Sequence, residues 1–169
     1  MPEAEKILER KLLADRLAQA RREGRKVVLC NGVFDLLHVG HLRALEEARQ
    51  AGDLLVVAIN EDATAKALKG PGRPFTPAAE RAELLAGFAC VDFVTTFAEP
   101  TATTTLEVLR PDFHAKGRDY QDKTIPEEER ELCRRLGIQL LLVGDRKTHS
   151  SSELLQRLQQ SGAAPEAEA

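Results

Sequence analysis

Five short apolar runs recur along the chain, each separated from the next by a stretch of helical spacing, and this alternation restricts the fold more than any other feature. "KVVLCN" (26–31), "DLLVVAIN" (53–60), "VDFVTTF" (91–97), "DFHAKG" (112–117) and "IQLLLV" (138–143) read as buried strands. The second is apolar almost without interruption, as a strand covered on both faces must be. Helices are expected over 39–52, 77–88, 101–110, 126–137 and 150–160, with a short helix at most between Glu61 and the Gly/Pro loop that follows it. Thr76 stands where it would cap the helix that Pro77 opens. Residues 3–22 carry Ile7, Leu8, Leu12, Leu13 and Leu17 at helical spacing and predict one helix closed by Gly24. Strands alternating with helices give an α/β fold, a single doubly wound five-stranded parallel sheet with an extra N-terminal helix. The expected division is an N-terminal helix (1–24), one domain (25–160) and a small, acidic, disordered tail (161–169).

On such a sheet ligands sit beyond the carboxyl ends of the strands, where the strand order reverses. "CNGVFDLLHVGHLRALEEA" (30–48) leaves the first strand at that place. Histidine is a mediocre helix former and glycine a worse one, so the pattern is not explained by folding alone. The loop Asn31-Gly32-Val33-Phe34-Asp35 and the glycine at 40 let a ligand approach the backbone at a helix N-terminus, an anion site by its free amides and dipole. His38 and His41, three apart, share one side if the helix begins near His38, and a phosphate would satisfy both rings. Zinc is the competing reading. A helical zinc pair is spaced four apart with a glutamate, neither of which holds here, and no protein-held metal is expected. A packing role for both rings leaves Gly40 unexplained.

Three further segments point to phosphate at the same edge. "ALKGPGRPF" brings Lys69 and Arg73 on a Gly/Pro loop. "HAKGRDY" brings Lys116, Arg118 and Asp119 after the fourth strand. "THSSSELL" sets Ser150, Ser151 and Ser152 at the start of the last helix, where one hydroxyl would suffice as a cap. The glycine-rich dinucleotide fingerprint and the P-loop pattern are both absent, which disfavours a nicotinamide oxidoreductase and a P-loop kinase.

Composition excludes other classes. A chain of 169 residues with net charge −3 suits one domain without a broad nucleic-acid footprint. No apolar run reaches the roughly 20 residues needed to cross a bilayer, and the charged N-terminus lacks a signal-peptide core, so a cytoplasmic protein without a membrane partner is expected. Cys30, Cys90 and Cys133 are widely spaced and odd in number, as reduced thiols are.

With these residues in view the chain resembles the HxGH nucleotidyltransferase superfamily, whose fold is Rossmann-like. "GVFDLLHVGH" matches the GxFDxxHxGH signature at every fixed position, and the likeness runs from about Lys26 to Leu158. "LKGPGRPFTPAAER" resembles the lysine loop and the "P…ER" helix start, and "KGRDY" and "HSSSELL" resemble two further segments. Within the superfamily the chain is most similar to the group that adenylates heptose 1-phosphate for lipopolysaccharide, with glycerol-3-phosphate cytidylyltransferases as near relatives. Arg118 stands where that group tends to have glycine and Glu153 where asparagine is usual.

The resemblance implies in-line attack of a sugar phosphate oxygen on the α-phosphorus of ATP, with Mg²⁺, releasing pyrophosphate. It implies His38, His41 and Lys69 as catalytic, and Asn31, Gly32, Val33, Phe34, Gly40, Lys116, Arg118 and Ser150–Ser152 on the nucleotide. Asp35, Lys69 and Arg73 would meet the second substrate. Such proteins are commonly dimers or larger, and in the heptose group the domain is often fused to a sugar kinase, which here would be a separate partner. The same chemistry on CTP and a polyol phosphate is one alternative. A nucleotide-binding module without turnover is the other, though it has no reason to keep the full set.

Overall fold

The structure, a computed structural model, describes residues 3–118 and 125–144. The order is α1 (Glu3–Lys6), α2 (Arg10–Arg22), β1 (Val27–Gly32), α3 (Val39–Arg49), β2 (Leu54–Asn60), α4 (Asp62–Lys69), α5 (Ala78–Ala86), β3 (Phe93–Phe97), α6 (Thr103–Leu109), β4 (Phe113–Gly117), α7 (Glu127–Leu136) and β5 (Gln139–Val143). The strands form one sheet in the order β3-β2-β1-β4-β5. Every pairing is parallel, so the sheet is the doubly wound one that the sequence predicts. Chain direction across the sheet reverses between β1 and β4, which sets the carboxyl ends of those two strands at the switch point.

Period-2 alternation gives the sheet two cores. Val27, Leu29, Val56 and Ala58 face one way and pack with Leu13 and Leu17 of α2, Leu106 of α6 and Leu132 of α7. Val28, Cys30, Val57 and Ile59 face the other way and pack with Leu45 of α3 and Leu85 of α5. All of β2 is buried, as its apolar run requires. Burial pushes the Cys30 thiol up to about 12, so this cysteine is a small hydrophobe and not a nucleophile.

Two local expectations fail for the same reason, a partner far away in sequence. The helix predicted over 3–22 is broken between Lys6 and Arg10. Ile7 instead pairs in parallel with Val94, and the Leu8 amide donates to the Val94 carbonyl at 2.9 Å, covering part of the outer edge of β3. Thr76 does not cap α5. Pro77 takes the cap position, and the Thr76 amide donates to Asp35 at 3.2 Å. The predicted helix over 150–160, the serines at its start, Asp119, Glu153 and the tail lie outside the described residues.

Candidate functional site

An open cleft lies at the switch point, floored by the end of β1 and walled by Phe34, Asp35, His41, Lys69 and Arg73. Residues predicted from two separate segments therefore meet. The first wall is the start of α3. His38 is its N-cap, with extended backbone, and its Nδ1 accepts the Gly40 amide at 3.1 Å. His41 Nδ1 accepts the His38 amide in return at 3.4 Å. This is a capping box built from imidazoles in place of the usual hydroxyl and carboxylate. The ring centroids are 4.0 Å apart. Because each Nδ1 accepts, the hydrogen of each neutral ring sits on Nε2, which makes both rings donors.

Gly40 has a structural task at this helix start. A Cβ there would lie 2.9 Å from both Nδ1 and Cε1 of His38, so the missing side chain leaves room for the His38 ring. Gly40→Ala is therefore expected to destabilise the protein by about 1 kcal/mol through loss of the cap. An ordinary helix-start glycine would gain a few tenths to about 1 kcal/mol on the same change. Urea unfolding of the two proteins separates the cases by sign.

The second wall is the chain from α4 to α5. Asp35 is buried and pairs with Arg73 at 2.6 Å, while its other oxygen accepts the amides of Phe75 at 2.7 Å and Thr76 at 3.2 Å. The Arg73 guanidinium also lies over the Phe75 ring, 4.4 Å from its centroid. Asp35 and Arg73, both expected on the second substrate, thus hold each other, and together they pin the loop that follows Lys69 beside the cleft. Phe34, one residue before Asp35, is left-handed, with φ 50°, an unfavourable conformation for a bulky residue.

That turn is clamped by a residue to which sequence reasoning gave no role. Arg81 of α5 is wholly buried, and its guanidinium donates to the carbonyls of Val33, Asn60 and Thr76 and to Asp62. One cation so ties the β1 loop, the end of β2, the start of α4 and the lysine loop. The signal was present: Arg81 lies on the stripe of Ala82, Leu85 and Ala86 that α5 buries. A charge on the apolar face of a helix calls for several partners.

Lys116 and Arg118, both expected on the nucleotide, have protein partners in the structure. Lys116 is buried, with its ammonium 2.7 Å from Glu129 and 2.9 Å from Asn31 Oδ1, on the α7 side of the sheet. Arg118 donates to Glu47 of α3 and to the Gly144 carbonyl, and Glu47 also accepts the Gly144 amide at 2.7 Å. Arg118 thereby links the ends of β4 and β5 to α3.

His114, beside Lys116, is fully buried, and burial first and the Lys116 charge second hold its pKa well below 6.5. The sign follows. An unfolded histidine takes a proton near pH 6.5 and the folded one does not, so stability is intact above that pH and declines as pH falls through it. This one group is expected to remove about 1.4 kcal/mol per pH unit below about pH 6. Urea titrations from about pH 7.5 to 5.5 measure the slope, and His114→Gln should flatten that component.

The family model described as cytidylyltransferase-like matches residues 29–157. A protein named "Bifunctional protein HldE" from Syntrophotalea carbinolica is 48% identical over 120 residues, 71% of this chain and 24% of that protein. A protein of the same name from Pseudomonas paraeruginosa is 39% identical over 155 residues, 92% of this chain and 32% of its own length. The chain thus spans about a quarter to a third of these relatives. The crystal structure of a lipopolysaccharide core biosynthesis protein from Thermoplasma volcanium is similar with a TM-score of 0.63 at 28% identity, covering 73% of this chain and all of that one.

Proposed function

We propose, from the premise that this chain belongs to the cytidylyltransferase-like family, that it is a nucleotidyltransferase that moves AMP from ATP to a sugar 1-phosphate, giving an ADP-sugar and pyrophosphate. The observation that carries this reading is the meeting of His41, Lys69 and Arg73 with the start of α3 in one cleft at the switch point. Donors and a helix N-terminus in one place suit a polyanion. The motif resemblance favours heptose 1-phosphate as the sugar, and the similarity to a lipopolysaccharide core biosynthesis protein agrees with it.

The chemistry asks for little beyond placement. An anionic phosphate oxygen of the sugar attacks the α-phosphorus, and the bond to the β-phosphate oxygen breaks on the opposite side. The nucleophile is already ionised near neutral pH, so the residues' work is alignment and charge stabilisation. His41 donates through Nε2 to the α-phosphate as charge develops there. Lys69, which lines the same cleft, supplies a cation beside it. His38 holds the start of α3 and its ring against His41. Mg²⁺ would enter as a companion of the nucleotide and would supply neutralisation of phosphate charge. The acid of the cleft, Asp35, is engaged by Arg73 and two loop amides.

We read the protein as cytoplasmic and as a homodimer, served by a kinase that supplies the sugar 1-phosphate. Three free cysteines support the first, and no described helix is long and apolar enough to cross a membrane. The test is pyrophosphate release with Mg²⁺, crossing ATP and CTP against heptose 1-phosphate, other sugar 1-phosphates and glycerol 3-phosphate. Release with ATP and heptose 1-phosphate alone is expected. Release with CTP and glycerol 3-phosphate would move the chain to the cytidylyl branch, and silence throughout would favour a binding module.

A further inference from the structure

A set of polar side chains is buried behind the end of β1, within reach of one cleft residue. Lys116 and Glu129 form an ion pair at 2.7 Å, each almost without solvent contact. Glu129 accepts the Ala102 amide at 2.9 Å with its other oxygen. Lys116 Nζ and His114 Nε2 both lie 2.9 Å from Oδ1 of Asn31. His114 Nδ1 is 3.8 Å from Sγ of Cys133.

The ammonium decides where the remaining hydrogens are. It has donors only, so the Asn31 atom facing it is the carbonyl oxygen and not the amide nitrogen. His114 must then donate through Nε2, which leaves Nδ1 as the acceptor for the Cys133 thiol. Burial pushes that thiol's pKa up, which keeps its proton in place. One cation thus fixes an amide orientation and a histidine tautomer.

The consequence falls on the cleft. Asn31 lines it, and its Nδ2 has no partner among the described residues. Left to rotate, an asparagine offers either an oxygen or an NH₂, and an oxygen set against phosphate would repel it. The carboxylate in the wall, Asp35, already has both oxygens engaged. Hiding the Asn31 oxygen leaves this part of the lining with donors. A buried ion pair adds little stability over apolar residues of the same size, so stability alone does not account for it.

We propose that Lys116 and Glu129 are positioning residues that lock the Asn31 amide with its oxygen turned from the cleft, so that Nδ2 donates to a phosphate oxygen of the bound nucleotide. The ligand half of this rests on the nucleotidyltransferase reading above; the lock does not.

Three measurements test it. The ¹⁵N spectrum of His114 in the ligand-free protein is expected to show the Nε2–H tautomer, and an Nδ1–H ring would overturn the lock. Asn31→Asp keeps an acceptor for Lys116 and His114 but removes the donor. It should fold, and it should bind ATP with Mg²⁺ about tenfold or more weakly. Wild-type affinity would overturn the donor role. Lys116→Met with Glu129→Gln removes both charges and retains an acceptor for Ala102. Mixed His114 tautomers and a raised KM for ATP, with kcat less affected, are expected. A single Nε2–H tautomer with unchanged KM would remove Lys116 from the argument. Should the wild-type chain not bind ATP, the function reading fails and the donor role fails with it, while the tautomer still decides the lock.

Discussion

Replacing Arg81 with methionine is expected to lower the unfolding free energy by about 3–5 kcal/mol, the scale for breaking a buried, multiply bonded charge. The side chain is wholly buried and serves three backbone carbonyls besides Asp62. Methionine fills much of the volume but leaves the carbonyls of Val33, Asn60 and Thr76 without that donor, at about 1–3 kcal/mol for each that water does not reach. Arg81→Lys should recover only part of the loss, because one ammonium cannot match the spread of a planar guanidinium. Chemical denaturation of the three proteins gives the ranking. A methionine variant within about 1 kcal/mol of wild type would show that water replaces the clamp. Turnover should fall further than stability in the fraction that stays folded, because the left-handed Phe34 follows the carbonyl that Arg81 holds.

Replacing His41 with alanine should cut kcat by about 10² or more, the usual scale for one lost donor at a developing charge. The structure adds a structural cost. His41 Nδ1 accepts the His38 amide, so about 1 kcal/mol of stability should go with the ring. The two effects separate cleanly, since a cap loss of that size leaves nearly all molecules folded. His41→Asn, which retains a donor, should fall between. Single-turnover rates with saturating ATP and sugar phosphate, set beside urea midpoints, make the comparison. Turnover of the alanine protein within a few fold of wild type would remove His41 from the chemistry and leave it as a cap alone.

The sheet was readable because its information is local. Runs such as "DLLVVAIN" carry their burial in their own composition, and their alternation with helical stretches pointed to parallel pairing. What could not be read was set by partners distant in the chain. Ile7 has helical spacing with its neighbours and still leaves the helix to pair with Val94. Thr76 has the chemistry of a cap, but its amide serves Asp35, 41 residues away. Lys116 and Arg118 look alike in "HAKGRDY", yet strand alternation sends the first to Glu129 on α7 and the turn beyond sends the second to Glu47 on α3. The histidine pair was the most legible part of the site, because its spacing and the helix start are both local. The roles of Asp35 and Arg73 were the least legible, because each is the other's partner.

The short signature that makes this chain recognisable is not its working unit. Between Asn31 and His41 the segment contains the imidazoles and the turn, but the groups that hold the turn open come from Arg73, Phe75, Thr76 and Arg81. A transplant of the ten-residue signature into another parallel sheet would carry the histidines and leave their scaffold behind. The smallest portable piece runs from β1 through α5, two strands with the helices that follow them, and it would still depend on a host strand at the β4 position to orient Asn31.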